Sequence, residues 1–394
     1  MMFHLDRASA DIQMIKNLYI HIPFCDGKCH YCGFYSVLCN TQLTDLYTPL
    51  PAKELHLALK STRHSQQNIA LETLYIGGGT PAMLGEAGLT QLVSNLKKQI
   101  SFDTLKEWTV ELNPASVSRS LLETLRSMGV NRVSIGVQCF DNTTLTRIGR
   151  RHSAEEAIEA IHLAQATGFQ NIGIDLIAGL PGITKELWQA SVHQALILPL
   201  THLSVYALSL EPGTPLAHQV NEGLSLPDDN EQLEALAIAE TLLAQSGFTR
   251  YEISNYALPG FECRHNQAVW HGEDYLGLGP AAASRLGTLR WTNEHDLEGY
   301  FDALQNERLP PRKQDSLSTD DDAMERVVFA LRLIEGVNLS SISKKFPCLS
   351  DRMPLWEKQF KKLHQHGITE RHGDCWCLTA RGREICDAVI KELF

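Results

Sequence analysis

The chain has 394 residues, of which 43% are hydrophobic and 21% are charged, with 27 Gly and 16 Pro. This composition is typical of a globular protein of roughly two or three domains, and it argues against long disorder, collagen or a coiled coil. Acidic residues outnumber basic ones by 46 to 35, which gives a formal charge of −11. Non-specific nucleic-acid binding depends on basic residues that neutralise phosphates, so we expect no nucleic-acid partner.

The ten cysteines are the unusual feature of the composition. No apolar run is long enough to span a membrane. The first residues, MMFHLDRASADIQ, lack the basic and apolar regions of a signal peptide. We therefore expect a cytoplasmic protein, in which cysteines serve as reduced thiols, metal ligands or catalytic groups and not as a disulfide framework.

Short β-rich runs alternate with longer amphipathic segments along the first two hundred residues. The predicted strands are 17–22, 72–77, 108–112, 131–137, 171–177 and 202–208. Apolar residues at helical spacing predict helices between them, for example over 118–128 and 153–167. Six alternating strand–helix units indicate an α/β fold with a parallel sheet, either doubly wound or a barrel. Functional groups then belong at the carboxyl ends of the strands.

The character of the sequence changes after about residue 300. The segment 305–322 is Pro-rich and charged, and it predicts a linker between a first domain over 1–304 and a second over 323–394. Three consecutive acids at 320–322 are favourable in the first turn of a helix. The remainder has the pattern helix, helix, hairpin, helix, which predicts a small winged-helix-like domain.

Three cysteines follow the first predicted strand within eight residues, in the segment Cys25-Asp-Gly-Lys-Cys29-His-Tyr-Cys32. Three clustered thiolates suit an iron–sulfur cube in which three irons take protein ligands and the fourth stays open. A zinc site is the alternative, with His30 or Cys39 as the fourth ligand. The aromatic residues of this loop favour one compact, shielded cluster over zinc.

The segment YIHIPFCDGKCHYCGF resembles the radical S-adenosylmethionine (SAM) superfamily, in particular the oxygen-independent coproporphyrinogen III oxidase group with its branch of heme chaperones. Further matching blocks follow in the same order: GGGTP, ELNP, RVSIGVQCF, DLIAGLPG, SVYALSLEPGTPL, YEISNYA, RHNQAVW and DYLGLGPAAAS. The resemblance covers nearly the whole chain. It implies a partial (β/α)6 barrel, a [4Fe–4S] cluster held by Cys25, Cys29 and Cys32, and SAM as a second cofactor.

The resemblance also implies which residues contact SAM. A glycine run without Cβ atoms lets the backbone approach the SAM amino and carboxylate groups, and Glu111 is placed to accept hydrogen bonds from a ribose. The expected SAM contacts are Tyr19, Tyr31, Gly78, Gly79, Thr80, Glu111, Gln138, Arg150 and Asp175.

The activity depends on the branch of the group. The oxidase branch has the pattern CxxxCxxCxC and a longer N-terminal extension, whereas here Phe34 stands at the fourth Cys position and the cluster begins 25 residues in. The heme-chaperone branch resembles CxxxCxxCxF with an HNxxYW block, which is similar to His265-Asn-Gln-Ala-Val-Trp270. This resemblance implies a chaperone that binds heme and transfers it to acceptor proteins.

We expect His265 to contact the heme, because an imidazole can ligate heme iron. The expected partners are heme, heme-acceptor proteins and a reductant such as flavodoxin or ferredoxin, with at most transient membrane association. The alternative function is that of an oxygen-independent coproporphyrinogen III dehydrogenase, which decarboxylates propionate side chains in porphyrin biosynthesis.

Overall fold

The computed structural model describes residues 14–61 and 69–393. The strands in chain order are β1 (Ile15–Ile22), β2 (Phe24–Cys25), β3 (Val37–Leu38), β4 (Ile69–Gly78), β5 (Glu107–Leu112), β6 (Arg132–Gln138), β7 (Asn171–Ala178), β8 (His202–Ala207), β9 (Thr249–Arg250), β10 (Asn255–Ala257), β11 (Tyr275–Leu278), β12 (Ala283–Leu286), β13 (Leu289–Asn293), β14 (Arg312–Ser316), β15 (Val337–Asn338), β16 (Thr369–His372) and β17 (Cys375–Leu378).

The helices in chain order are α1 (Thr41–Tyr47), α2 (Leu50–Ser61), α3 (Gly85–Lys97), α4 (Arg119–Met128), α5 (Asn142–Arg147), α6 (Ala154–Ala166), α7 (Lys185–Leu196), α8 (Pro215–Asn221), α9 (Asp229–Gln245), α10 (Arg264–Trp270), α11 (Leu297–Gln305), α12 (Thr319–Arg332), α13 (Leu339–Lys345), α14 (Met353–Gln365), α15 (Ala380–Glu384) and α16 (Cys386–Leu393).

Six parallel strands form the centre of the fold in the order β1-β4-β5-β6-β7-β8. Strands that are neighbours in this sheet follow one another in the chain, except that the short β2–β3 pair lies between β1 and β4. Helices connect them, as in a (β/α) barrel. The six predicted strands and the partial (β/α)6 barrel are therefore confirmed. All six strands end at the same edge of the sheet, so the loops after them share one side of the molecule.

Both predicted helices form, and their ends explain why. The side chain of Ser118 accepts a hydrogen bond from the backbone of Leu121 at the start of α4, and Gly129 ends that helix with a left-handed φ of 109°. Ser153 and Glu156 form a reciprocal capping box at the start of α6. Such caps satisfy backbone groups that a helix leaves unpaired at its ends.

Additional strands extend the sheet beyond the six-stranded barrel. At one edge β11 pairs in parallel with β1, and β12, β13 and β14 follow as an antiparallel meander. At the other edge β10 pairs antiparallel with β8, and β9 pairs antiparallel with β10. Strand β14 lies inside the predicted linker 305–322. Its charged sequence RKQDS is largely exposed, which suits an edge strand, because charges there prevent pairing with other chains.

The C-terminal region from α12 onward has its own hydrophobic core. Its helices surround a three-stranded sheet in the order β15-β17-β16, and the rings of Phe360 and Trp376 stack at a centroid distance of 5.6 Å. The predicted helical, winged-helix-like fold is confirmed. A buried ion pair between Arg285 and Asp322 connects this region to the extended sheet of the barrel.

No helix in the part of the chain that the structure describes has the length and apolar character needed to cross a membrane.

Candidate functional site

The loop after β1 carries the three clustered cysteines. Cys25 lies in β2, which pairs in parallel with β3, and the backbone N–H of Cys39 donates to the carbonyl of Cys25 at 2.9 Å. The backbone N–H of Cys32 donates to the carbonyl of Cys29 at 3.2 Å, so these two residues bracket a tight turn. All three clustered thiols are free and half-buried. One loop thus presents three separate thiols at the carboxyl end of β1.

The surroundings of these thiols fit a [4Fe–4S] cluster. The hydroxyl of Thr80 lies 3.7 Å from the Cys25 sulfur, and the Arg150 guanidinium lies 3.5 Å from the Cys29 sulfur. Burial is the largest cause that raises the pKa of Cys25 and of Cys32, and the neighbouring Cys29 adds to the rise in both. Bound iron reverses such a rise because it coordinates the thiolate. Three thiols within electrostatic reach of one another, with donors beside two of them, suit three cluster ligands.

The glycine run at the end of β4 forms a narrow cradle beside the cysteine loop. The backbone N–H of Thr80 donates to the carbonyl of Phe24 at 2.7 Å. A Cβ atom added at Gly79 would lie 2.6 Å from that same carbonyl oxygen and 3.1 Å from the Cys25 sulfur. Gly78 has a left-handed φ of 103°. Only glycine allows this backbone to approach the cysteine loop so closely.

Two carboxylates face the interior of the barrel near this cradle. Glu111 accepts hydrogen bonds from the hydroxyl of Tyr75 at 2.6 Å and from the backbone N–H of Gly78 at 3.0 Å. Burial raises the pKa of Glu111 to about 7. Burial also raises the pKa of Asp175, although a hydrogen bond from Ser204 opposes the rise. Both side chains are half-buried, so the interior stays open to a polar ligand at this depth.

Arg150 connects the cysteine loop to the ends of β5 and β6. Besides its contact with Cys29, its guanidinium donates to the side chain of Asn113 at 3.1 Å and to the carbonyl of Gly136. The next residues along β6 form an irregularity in the pairing with β7. There Gln138 takes a left-handed φ of 73°, a strained conformation for a residue with a side chain, and one that occurs often at functional sites.

Two tyrosines complete the predicted set. Tyr31 lies in the cysteine loop, where burial raises the pKa of its hydroxyl and the charges of Arg150, Cys29 and Asp175 act on it. The hydroxyl of Tyr19 is 3.0 Å from His21 Nδ1. The structure thus brings the predicted cluster and SAM residues together at the carboxyl end of the barrel: Tyr19, Cys25, Cys29, Tyr31, Cys32, Gly78, Gly79, Thr80, Glu111, Gln138, Arg150 and Asp175.

His21 is a residue of this site that sequence reasoning missed. Its Nδ1 meets the Tyr19 hydroxyl and its Nε2 lies 3.0 Å from the carbonyl of Tyr35, which follows the cysteine loop. A Cβ atom at Gly78 would lie 2.6 Å from the imidazole. Burial lowers the pKa of His21 to about 4, so the ring is neutral. Its position two residues after Tyr19 on the same strand was the available signal, because alternate residues of a strand face one side.

Comparisons with known proteins agree with this geometry. A model of the radical SAM superfamily matches residues 19–195, and a model of the HemN C-terminal domain matches residues 317–385. The heme chaperone HemW of Lactococcus lactis is 34% identical over 360 residues, which cover 91% of this chain and 90% of that protein. HemW of Bacillus subtilis is 33% identical over 385 residues, covering 96% of this chain and 100% of that protein. This chain belongs to the HemW family of radical SAM proteins.

This HemW family member shares its fold with a solved structure. Coproporphyrinogen III oxidase (HemN) from Escherichia coli superposes with a TM-score of 0.84 over 98% of this chain and 91% of that chain, at 24% sequence identity. At this identity the likeness establishes the fold alone. Membership in the radical SAM superfamily implies a [4Fe–4S] cluster and SAM, which agrees with the residues gathered around the cysteine loop.

The HNxxVW segment of this HemW family member lies far from the cysteine loop along the strands. It forms α10, where the backbone N–H groups of Arg264 and His265 donate to Glu107 at 2.9 and 3.1 Å. Glu107 is the first residue of β5, so α10 closes the amino-terminal end of the barrel. Trp270 faces the C-terminal region instead, with the Arg332 guanidinium 4.6 Å from its ring centroid.

His265 is therefore not brought to the cluster site. Only 6% of the residue is exposed, its Nδ1 is 2.8 Å from the Thr73 hydroxyl, and its ring packs on Tyr75 at 5.3 Å. Burial lowers the pKa of His265 to about 4. These contacts are those of a hydrogen-bonded core residue. We call the amino-terminal end of the barrel, which α10 closes, the closed base. Heme contact at His265 stays a prediction, and it requires the base to open.

Proposed function

We propose that the protein is a heme chaperone that carries a [4Fe–4S] cluster and SAM, binds heme and transfers it to acceptor proteins. The main support for this proposal is the similarity to relatives named heme chaperone HemW, which match this chain over almost its full length. Phe34 supports it, because the oxidase pattern has a cysteine at that position.

In this proposal Cys25, Cys29 and Cys32 hold the cluster. Three thiolates at these positions would hold a cluster that, once reduced, could supply an electron to SAM. The glycine cradle leaves room for the SAM amino and carboxylate groups beside the cysteine loop. Glu111 and Asp175 offer acceptor oxygens to hydroxyl groups, and the Arg150 guanidinium holds positive charge next to the Cys29 sulfur. The remaining predicted SAM contacts, Tyr19, Tyr31, Thr80 and Gln138, line the same end of the barrel.

A second function has one specific observation in its favour. All side chains expected to hold a cluster and SAM are retained and gathered at one place, as an oxygen-independent coproporphyrinogen III dehydrogenase would need. Its reaction is the oxidative decarboxylation of propionate side chains. We place this function second because Phe34 replaces the cysteine of the oxidase pattern.

The partners in this proposal are heme, heme-acceptor proteins and a reductant such as flavodoxin or ferredoxin. We place the protein in the cytoplasm, with at most transient membrane association and no nucleic-acid partner. The ten free thiols support a reducing compartment.

One anaerobic experiment separates the two functions. The purified full chain is reconstituted with iron and sulfide, and one sample receives hemin while another receives SAM, dithionite and coproporphyrinogen III. We expect stoichiometric hemin binding and no protoporphyrinogen. Formation of protoporphyrinogen together with 5′-deoxyadenosine would establish the dehydrogenase and reject the chaperone.

A further inference from the structure

Large apolar side chains are exposed around the carboxyl end of the barrel. Phe34 and Leu38 are each 69% exposed, and Leu210, on the loop after β8, is 40% exposed. We call these three residues the rim patch. Tyr206, near the end of β8, is 41% exposed as well. A soluble surface that keeps several large apolar groups in water at one place commonly marks a binding site.

The rim patch lies on two loops that contact each other. A Cβ atom at Gly33 would lie 2.8 Å from the Glu211 side chain, so the residues next to Phe34 and Leu210 touch. The backbone N–H of Leu216 also donates to the carbonyl of His30 at 2.8 Å. Leu38 lies in β3, which follows the cysteine loop and pairs with β2, so Leu38 is next to Cys25 in that pair. Phe34 and Leu38 therefore lie on the segment that follows Cys32, and Leu210 lies on a loop in contact with that segment.

An unpaired cation borders the rim patch. The ammonium group of Lys28 donates to the carbonyl of Phe34 at 3.1 Å. Among residues 14–61 and 69–393 no carboxylate lies within ion-pair distance of it. An apolar surface with a free ammonium group at its edge complements a ligand that is apolar over its face and carries carboxylates at its edge.

The amino-terminal end of the barrel offers no comparable surface. There α10 covers the interior, the imidazole of His265 contacts Thr73 and Tyr75, and the backbone N–H of His265 donates to Glu107. A macrocycle the size of heme would have to displace this helix to reach the imidazole. The rim patch, in contrast, is accessible without any rearrangement of the described chain.

We propose that the rim patch binds one face of heme and that Lys28 pairs with a heme propionate. This inference rests on the proposed chaperone function and assigns its heme-contact surface. It places heme against the outside of the cysteine loop, at the opposite end of the strands from His265.

The test compares a rim variant with a matched surface variant in the reconstituted full chain. Hemin is titrated anaerobically and followed by its Soret band. Phe34→Ser combined with Leu38→Ser should weaken hemin binding by about tenfold or more, because both substitutions remove apolar surface that the bound heme would cover. Ile197→Ser is the control, since Ile197 is 76% exposed on the outer surface after α7 and should leave hemin affinity unchanged.

Three further variants, at two positions, keep the test decisive if the double variant assembles its cluster poorly, which iron and sulfide content report. Leu210→Ser changes the rim patch outside the cysteine loop and should weaken hemin binding by about threefold or more. Lys28→Glu should weaken it similarly, and Lys28→Arg should restore it. Unchanged hemin affinity in these variants would overturn the inference.

The outcomes also separate this inference from the proposed function. If the unaltered protein binds no hemin, the chaperone function itself fails. If the unaltered protein and the rim variants bind hemin equally, only the heme assignment of the rim patch fails. If the rim variants bind hemin as the unaltered protein does but transfer it poorly to an acceptor, the heme assignment fails as well. The rim patch would then be a contact surface for the acceptor protein.

Discussion

The two ends of the barrel use similar residue types for opposite purposes. At the carboxyl end, thiols, carboxylates and tyrosines stay half-buried around an open interior. At the amino end, a thiol, a carboxylate and an imidazole are buried and hydrogen-bonded to one another's neighbours, since Glu107 accepts from the Cys263 thiol at 3.4 Å as well as from the α10 backbone. Buried groups that are hydrogen-bonded within the protein stabilise a closed structure, whereas half-exposed groups stay available for a ligand.

Two carboxylates on the same strand make the contrast sharp. Glu107 begins β5 and Glu111 lies four residues later, on the same side of the strand. Glu107 is 4% exposed and binds the N–H groups of α10 next to the buried Arg132 guanidinium. Glu111 binds only one hydroxyl and one backbone N–H and faces the interior. The depth along the strand, and not the residue type, separates the carboxylate that holds α10 from the one that we propose as a SAM contact.

The largest effect is expected at the cysteine loop. Cys29→Ala should remove the cluster, because the loop then offers two thiolates to a cube that needs three. Iron and sulfide content and the visible absorbance after anaerobic reconstitution measure this loss. Cys348→Ala, at an exposed thiol of the C-terminal region, is the control and should keep a full cluster. A complete cluster in Cys29→Ala would reject the three-ligand assignment.

The hydrogen bonds of the closed base should contribute to the free energy of unfolding. Glu107→Ala leaves the backbone N–H groups of Arg264 and His265 without their acceptor, so the free energy of unfolding should fall by about 2–6 kcal/mol, about 1–3 kcal/mol for each N–H group. Urea unfolding of the cluster-free protein measures it. Glu123→Ala, in an exposed pair with Arg119, should cost less than about 1 kcal/mol. Equal effects for the two variants would contradict the structural role of the base.

Side chains at the carboxyl end of the barrel should contribute to the affinity for SAM. Glu111→Gln removes a charge that can accept hydrogen bonds from SAM hydroxyls, so we expect SAM binding to weaken by about tenfold. Calorimetric titration of the reconstituted protein with SAM measures it, and circular dichroism verifies the fold. Unchanged SAM affinity would place the ribose elsewhere.

Glu111 should also leave a signature in the pH dependence of stability. Burial raises its pKa from 4.5 to about 7, so the folded state holds a proton that the unfolded state has released. Its contribution to stability is therefore greatest below pH 4.5 and is lost as the pH rises to about 7. In Glu111→Gln the decline of stability over this range should be shallower. Some decline should persist, because burial likewise raises the pKa of Glu54 to about 7. An unchanged profile would contradict the raised pKa of Glu111.

The smallest effect is expected for heme binding at the closed base. His265→Gln keeps a side chain that can hydrogen-bond Thr73, and the hemin affinity should stay within about twofold of the unaltered protein if heme binds at the rim patch. Soret titration measures it. A tenfold loss or a shifted Soret band would instead establish His265 as the heme contact and overturn the rim assignment.

Local patterns were sufficient for much of the fold and of the candidate site. The six barrel strands are buried on both sides and appear as short apolar runs, and the cysteine spacing lies within one loop, so both are visible in contiguous sequence. The strands at the sheet edges are not. Strand β14 lies in a charged segment resembling a linker, because an edge strand needs one partner and little apolar surface.

Long-range contacts decide the remaining features. His21 gains its place in the site from the glycine run of β4 and from the carbonyl of Tyr35, and neither contact follows from the residues beside it. His265 and Trp270 are neighbours in one motif, yet the structure directs one into the barrel base and the other toward the C-terminal region.

The alternation of strands and helices, the three-thiol loop and the family of the chain all follow from the amino-acid sequence alone, since each depends on residues close together in the chain. Only the tertiary structure decided which polar groups are enclosed and which stay open. Strands of different sequence position must first assemble into one sheet, and the depth of each side chain in the resulting barrel then sets its burial, its pairing and its access to a ligand.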